Sequence, residues 1–352
     1  MHVHRYEENP LISPADVSPL WEGFEVIGTF NAGIVRLKDE VLMLIRVAER
    51  PLTHDPAYVQ TAYFDVTTQR AVALSLDMTD PRYDCSDARV VKDSRAGSTL
   101  YLTSVSCLRL ARSKDGLHFT VDDGAFLLPS TELEQFGIED PRITPIGDTY
   151  YITYSAVSAK GVGVGLASTR DFVTVERHGL IFGPENKDVI LFPERIGGLY
   201  YALTRPVPKA IGLPEIWIAE SPDLLHWGNH RFLLGLREEA WDSGRIGGGA
   251  VPLRTEHGWL ELYHAADHQD RYCMGAVLLD ANDPSKVLAR TPGPILQPET
   301  DYELNGFFGG VVFSCGILAD GDTLRIYYGA ADTTMACADL KLSDILAQLV
   351  YD

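Results

Sequence analysis

The chain has 352 residues, 45% of them hydrophobic, enough to bury one large core or two ordinary ones. With 49 acids against 30 basic side chains and a formal net charge of −19, its surface repels polyanions. That argues against nucleic acid or an anionic membrane as the main partner, but leaves room for a local basic pocket that takes a small anion.

The N-terminal stretch MHVHRYEENPLISP holds no apolar run and no small-residue cleavage site, so no signal peptide is expected. No window approaches the roughly 18 apolar residues that cross a bilayer. Five scattered cysteines (Cys85, Cys107, Cys273, Cys315 and Cys337) show no CxxC spacing. These features predict a cytoplasmic protein with reduced thiols. His2 and His4 read as part of a solvated terminus rather than as metal ligands.

Along the chain, short apolar and aromatic segments recur between Gly, Asp, Asn and Pro, which predicts strands. They are EVLMLIRV (40–47), STLYLTSVS (98–106), TYYITYSAV (149–157), LYYALTRP (199–206), WLELYHAA (259–266) and TLRIYYGAA (323–331). From the second onward each is followed by another strand-like segment. Three of these end alike: ARSKDGLHF (111–119), ASTRDFVTV (167–175) and AESPDLLHW (219–227). Their aspartates, Asp115, Asp171 and Asp223, are 56 and 52 residues apart. MGAVLLDANDP (274–284) and CADLKLSDIL (337–346) fit more loosely. A period in the fifties is that of a four-stranded propeller blade. Five units of about 70 residues, insertions included, fill the chain. The expectation is an all-β, five-bladed β-propeller forming a single domain over residues 1–352. A pair of β-sandwiches would not explain the in-phase signature. The N-terminal segment should supply strands to the last blade, and DILAQL should form a short C-terminal helix with Ser343 as its N-cap.

In a propeller, ligands bind where the inner strands converge. The polar residues near those strand ends are Asn31, Arg46 and Arg50; Asp87 and Arg89; Glu139, Asp140 and Arg142; Lys187, Asp188 and Arg205; Arg245, Tyr263, His264, Asp267 and Tyr272; and Asn305 and Asp332. Asp87-Ala-Arg89 echoes Asp140-Pro-Arg142, which reads as a repeated loop. Propeller loops are polar in any case, so no single position is decisive. Jointly, Lys187, Arg205, Arg245 and His264 lie beside apolar strands, and desolvated cations need anionic partners. These partners are either the protein's own acids or an anionic ligand such as phosphate. The run Gly247-Gly248-Gly249 could cradle an anion with its amides or simply allow close packing. The chain has no G-x-S-x-G, HExxH, Walker or Rossmann pattern.

Taken together, GIEDPR, NKDVILFPE, LTRP, DSGRIGGGAVPL, GWLELYHAA and IYYGAADT resemble glycoside hydrolase family 130, from about Asn9 to the C-terminus. This family consists of five-bladed propellers dominated by inverting β-mannoside phosphorylases. The resemblance implies that Asp140 is the catalytic acid, protonating the leaving glycosidic oxygen by relay through the 3-hydroxyl of the bound mannose. It implies phosphate binding by Lys187, Arg205, Arg245, His264 and Tyr272. It implies sugar or phosphate contacts at Asn31, Arg46 and Arg50 and a mannose contact at Asp332; from their places near the strand ends, Glu139, Asp188 and Asn305 are expected as further substrate contacts. Asp87 is read as a sugar contact or a turn residue. The DSGRIGGG form is more similar to members acting on β-1,2-mannobiose and β-1,2-oligomannan than to those acting on β-1,4 linkages. Arg245 stands where β-1,4 members often carry lysine, and LTRP replaces the commoner LHRP.

An inverting hydrolase needs an acid and a base set apart to admit water. A phosphorylase needs only the acid and a cationic cradle, because phosphate is already the nucleophile. The five cradle positions favour phosphorolysis, with α-mannose 1-phosphate as product. The alternatives are a β-1,4-mannosyl-glucose or mannooligosaccharide phosphorylase, an inverting β-mannosidase using water, and a non-catalytic mannoside-binding propeller. No metal or organic cofactor is implied; inorganic phosphate and a β-mannoside oligosaccharide are the partners. A homo-oligomer is compatible, with a neighbouring subunit closing the acceptor side.

Overall fold

The in-phase aspartates sit in tight turns. The computed structural model describes residues 1–53 and 55–351. In it, Asp115 Oδ1 accepts from the backbone N–H groups of Leu117 and His118 at 2.8 and 2.9 Å. Asp171 does the same with Val173 and Thr174, and Asp223 with Leu225 and His226, all at 2.9 Å. A hydroxyl two residues earlier, on Ser113, Thr169 or Ser221, bonds the same carboxylate. Such side-chain turns replace a backbone turn between strands. Each one joins the third and fourth strands of an antiparallel meander, so the signature marks one place in three successive units.

The protein is all-β apart from short helical turns. The first meander runs Phe24–Leu37, Glu40–Pro51, Val105–Ser113 and Thr120–Leu127. The second runs Gly137–Ile146, Thr149–Ser158, Gly161–Thr169 and Glu176–Phe182. The third takes Asn186–Leu191, Tyr200–Pro206, Ile216–Ser221 and Gly228–Leu234. The fourth takes Arg245–Gly248, Gly258–Ala266, Tyr272–Leu279 and Val287–Arg290. The fifth takes Val312–Asp320, Thr323–Ala330 and Thr334–Lys341, and its outer strand is N-terminal: His4 pairs with Asp339. The N-terminal segment thus serves the last unit, as expected.

Two expectations change. STLYLTSVS is not one strand: Thr99–Leu102 belongs to an inserted sheet and Val105–Ser113 to the first meander. The inserted sheet, with Tyr58–Asp65, Arg70–Asp77, Tyr83–Asp84 and Val90–Asp93, interrupts the first unit between its second and third strands. Asp87 and Arg89 therefore lie in an insertion and do not repeat the Asp140 loop. The C-terminal helix spans Leu342–Ala347, so Ser343 lies inside it and is not its N-cap. Ser343 instead donates its N–H and hydroxyl to Asp322 at 2.8 and 2.9 Å. Val350–Tyr351 then pairs with the outer strand of the fourth unit.

The first strands form the centre. Phe24–Leu37 packs against Gly137–Ile146 and Val312–Asp320, Gly137–Ile146 against Asn186–Leu191, and Asn186–Leu191 against Arg245–Gly248. Apolar layers fill the space between adjacent meanders, such as Phe192, Ile218, Ile246 and Tyr263 between the third and fourth. Gly137 forms the single parallel pairing between the first and second meanders, opposite Ser106. It holds φ +114°, and a Cβ there would lie 2.5 Å from the Ser106 nitrogen. We predict that Gly137→Ala lowers stability by about 1–3 kcal/mol through overpacking, read as a drop in denaturation midpoint; an unchanged midpoint would refute this tight approach.

Candidate active site

Three first strands share one backbone device. Register shifts between Phe30 and Gly33, Glu139 and Arg142, and Lys187 and Ile190 mark irregular, bulge-like positions. At each one an Asn or Asp takes left-handed φ: Asn31 at 52°, Asp140 at 50° and Asp188 at 52°. Asn and Asp enter that region more readily than other side chains bearing a Cβ. A bulge also re-aims the residue it carries. All three line a cavity of about 260 Å³ at the centre of the first strands.

Asp140 Oδ1 accepts hydrogen bonds from Asn31 Nδ2 at 3.0 Å and Arg46 NH1 at 3.1 Å. Arg46 also donates NH2 to Glu139 Oε1 at 2.8 Å and Nε to Ser106 Oγ at 3.2 Å. Burial pushes the Asp140 carboxyl up, but Arg46, Lys187 and Arg142, with the Asn31 hydrogen bond, outweigh it and hold the group below its ordinary value. Against the protein's own groups alone, the cations win over burial. Asp332 goes the other way. It lines the same cavity from a turn, and burial, opposed by Arg46, raises its carboxyl to about 6.

Lys187, Arg205, Arg245 and Tyr272 line the cavity too. Arg245 donates to the Tyr272 hydroxyl at 3.1 Å and also pairs with Asp270. Asp188 is 2% exposed and anchors this side: Arg142 lies 3.2 Å from one carboxylate oxygen, Arg205 and His264 at 3.1 and 3.2 Å from the other. Burial works to raise Asp188, and Arg205, His264 and Arg142 reverse it to well below its usual value. Asp188 therefore holds Arg205 in place.

Several expected site residues stand elsewhere. His264 lies behind Asp188, fully buried, its ring 4.0 Å from that of Phe313; burial lowers its pKa, which favours a neutral imidazole. Arg50 is half exposed and pairs with Glu25 at 2.7 Å. Asn305 donates to Asp301 at 2.8 Å on the surface. Asp87 grips Arg89 at 2.9 Å. None of these four lines the cavity. Arg142, named among the polar residues near the strand ends, lies under the floor and donates to the carbonyls of Asp140, Gly248 and Gly249 at 2.9, 3.0 and 3.2 Å.

Arg89, named from sequence only among the polar residues near strand ends, lines the cavity, and so do Phe308, Val311 and Phe313, which were not singled out. The apolar segment GFFGGVVF carries no polar signal that would mark it. A second cavity, about 860 Å³, adjoins the first and shares Arg46, Arg89, Glu139, Lys187 and Asp332 with it. Among the described residues, seven Lys and Arg against five Asp and Glu line the two cavities, in a chain of formal net charge −19. Such a local excess of cations suits an anion.

Residues 86–350 match the glycoside hydrolase family 130 model, described as β-1,4-mannooligosaccharide phosphorylase. The chain is 55% identical to the β-1,2-mannobiose phosphorylase of Listeria innocua serovar 6a over 99% of both chains. It is 42% identical to a 1,2-β-oligomannan phosphorylase of a Thermoanaerobacter species, over 68% of this chain and 80% of that one. The solved complex of the Listeria innocua enzyme with β-1,2-mannobiose superposes with a TM-score of 0.97 at 54% identity, covering 99% of each chain. The chain belongs to glycoside hydrolase family 130.

Proposed function

We propose that this protein is an inverting β-mannoside phosphorylase that cleaves β-1,2-mannobiose or short β-1,2-oligomannan with inorganic phosphate, reversibly, giving α-mannose 1-phosphate. The observation that carries this reading is the asymmetry of the cavity. One carboxylate, Asp140, faces it with only one oxygen bonded, while Lys187, Arg205 and Arg245 line it as a cation group. An acid on one side and a cradle for a ready-made nucleophile on the other suffice for phosphorolysis. Phosphate oxygen attacks the anomeric carbon, the glycosidic bond breaks, and the leaving oxygen takes the proton of Asp140. The β-1,2 preference rests on likeness to the Listeria innocua and Thermoanaerobacter enzymes.

Lys187, one of the cations that hold Asp140 ionised, also belongs to the group that a phosphate dianion would neutralise. Bound phosphate therefore raises the Asp140 carboxyl, and the acid is loaded when the nucleophile is present. We read the five meanders as five propeller blades in one domain, with the cavity at the narrow end of their axis. Arg46, Asn31, Glu139 and Asp332 would meet the sugar.

Asp332 favours a second reading. Its carboxylate hydrogen-bonds to no other described side chain and lines the cavity, so it is placed to serve as base in a hydrolase. Product analysis on β-1,2-mannobiose, with and without phosphate, separates the two. Phosphorolysis predicts phosphate-dependent α-mannose 1-phosphate; free mannose at a rate indifferent to phosphate would overturn it.

A further inference from the structure

The inserted sheet reaches the inner cavity at one point. Among the described residues of segment 52–104, Arg89 alone lines both the 260 Å³ cavity and its 860 Å³ neighbour. Arg205, Arg245 and Tyr272 line only the inner one. Arg89, like Lys187, therefore stands at the passage between the two, whereas Arg205 and Arg245 line the inner cavity alone. The inner cavity falls below the roughly 300 Å³ at which pockets for larger ligands begin, so an oligosaccharide has to extend through that passage.

Arg89 is held in a fixed pose. Its Nε and NH2 donate to the two carboxylate oxygens of Asp87 at 3.0 and 2.9 Å, and its backbone N–H donates to the first of them at 3.0 Å. Its guanidinium carbon lies 4.5 Å from the ring centroid of Phe308, on the approach to the fifth meander. The NH1 group has no partner among the described residues. A forked donor whose pose is already fixed loses little freedom when it binds, and its planar donors suit neighbouring sugar hydroxyls. Asp87, read from sequence as a sugar contact or a turn residue, fixes the pose of Arg89.

We propose that Arg89 is a specificity-determining residue that binds the sugar on the leaving side of the scissile bond, with Asp87 as its positioning residue and Phe308 as its platform. This rests on the phosphorylase reading above, with the leaving-side sugar in the outer cavity. Arg89 would donate to that sugar's hydroxyls, and its loss should weaken the sugar without disturbing phosphate.

The test uses the full-length protein, with steady-state kinetics in both directions and calorimetric titration of β-1,2-mannobiose. For Arg89→Ala, the KM for mannobiose in phosphorolysis and for the mannose acceptor in synthesis should rise about tenfold or more, as expected for a lost charged hydrogen bond. The KM values for phosphate and for α-mannose 1-phosphate should stay within about twofold. Arg89→Lys should fall between, because an ammonium lacks the fork. Asp87→Asn should repeat the pattern more weakly at an unchanged melting midpoint, whereas a purely structural Asp87 would move the midpoint and leave the KM ratio alone. An acceptor KM that does not move, or a phosphate KM that rises equally, overturns the proposal, the latter by making Arg89 part of the phosphate cradle. If the wild-type protein shows no phosphate-dependent turnover, the phosphorylase reading fails separately. Titration then judges Arg89 alone: about tenfold weaker mannobiose binding in Arg89→Ala supports it, and equal affinity overturns it.

Discussion

Asp140→Asn should reduce phosphate-dependent turnover of β-1,2-mannobiose by at least about a hundredfold, the usual worth of general acid catalysis. Asn keeps an oxygen to accept from Asn31 and Arg46 but has no proton to give the leaving oxygen. Mannobiose affinity should be largely retained, so calorimetry separates lost chemistry from lost binding. A variant that still turns over at near wild-type rate would remove Asp140 from the mechanism.

The pH dependence carries a sign. Burial raises the Asp140 carboxyl while Arg46, Lys187 and Arg142 bring the net result below its ordinary value. The protonated acid is therefore scarce at neutral pH until phosphate neutralises Lys187, the one of those cations that belongs to the proposed cradle. Activity should fall as pH rises, and the basic limb of kcat at saturating phosphate should lie at higher pH than that of kcat/KM for phosphate. Coincident limbs would sink the idea that phosphate loads the acid.

Asp188→Ala should be the most damaging single change to stability, costing about 3–5 kcal/mol because it leaves buried cations unpaired. Arg142 is 1% exposed and Arg205 8%, and Asp188 is the acid that both approach. Denaturant unfolding should show the loss directly. Phosphate affinity should fall as well, since Arg205 loses the carboxylate that aims it. Because Asp188 sits well below its unfolded value, its contribution is fully present above pH near 3.8 and is lost only as pH falls through the depressed folded value. The destabilisation should therefore be undiminished at neutral pH. A variant as stable as the parent would show that Arg142 and Arg205 are satisfied elsewhere.

Much of the architecture was legible because it repeats. The aspartates at 115, 171 and 223 announced a period before any coordinate was known, since a side-chain turn is local chemistry written within five residues. The acid and most of the cation group were legible because their motifs survive in order: GIEDPR, NKDV, LTRP, DSGRIGGG. The left-handed bulges at Asn31, Asp140 and Asp188 were legible in principle, as a polar residue of the right type inside an apolar strand, but were not read as one device.

The misplacements share a cause. Arg50, Asn305 and Asp87 each lie within a few residues of the cavity in sequence, yet each finds a partner nearby: Glu25, Asp301 and Arg89. Arg50 shares a strand face with Arg46 but lies about 13 Å further along it, past the cavity, while Asn305 and Asp87 sit in connections that turn back on their own segments. His264 shows the other limit. Its strand and type were right, but the depth at which Asp188 and Phe313 cover it depends on packing between separate meanders.

The sequence by itself thus determined the strand-rich class, the period and the cationic character of the surroundings of Asp140, because these depend on residue type and on spacing within one unit, while the family resemblance pointed to Asp140 as the proposed acid. Only the tertiary structure decided that one guanidinium, Arg46, serves both Glu139 and Asp140, that Asp188 sits beneath the cations as their anchor, and that an inserted sheet sends Arg89 to the passage. Those facts join residues from different meanders, and such long-range contacts are set by how whole units pack, which no local pattern encodes.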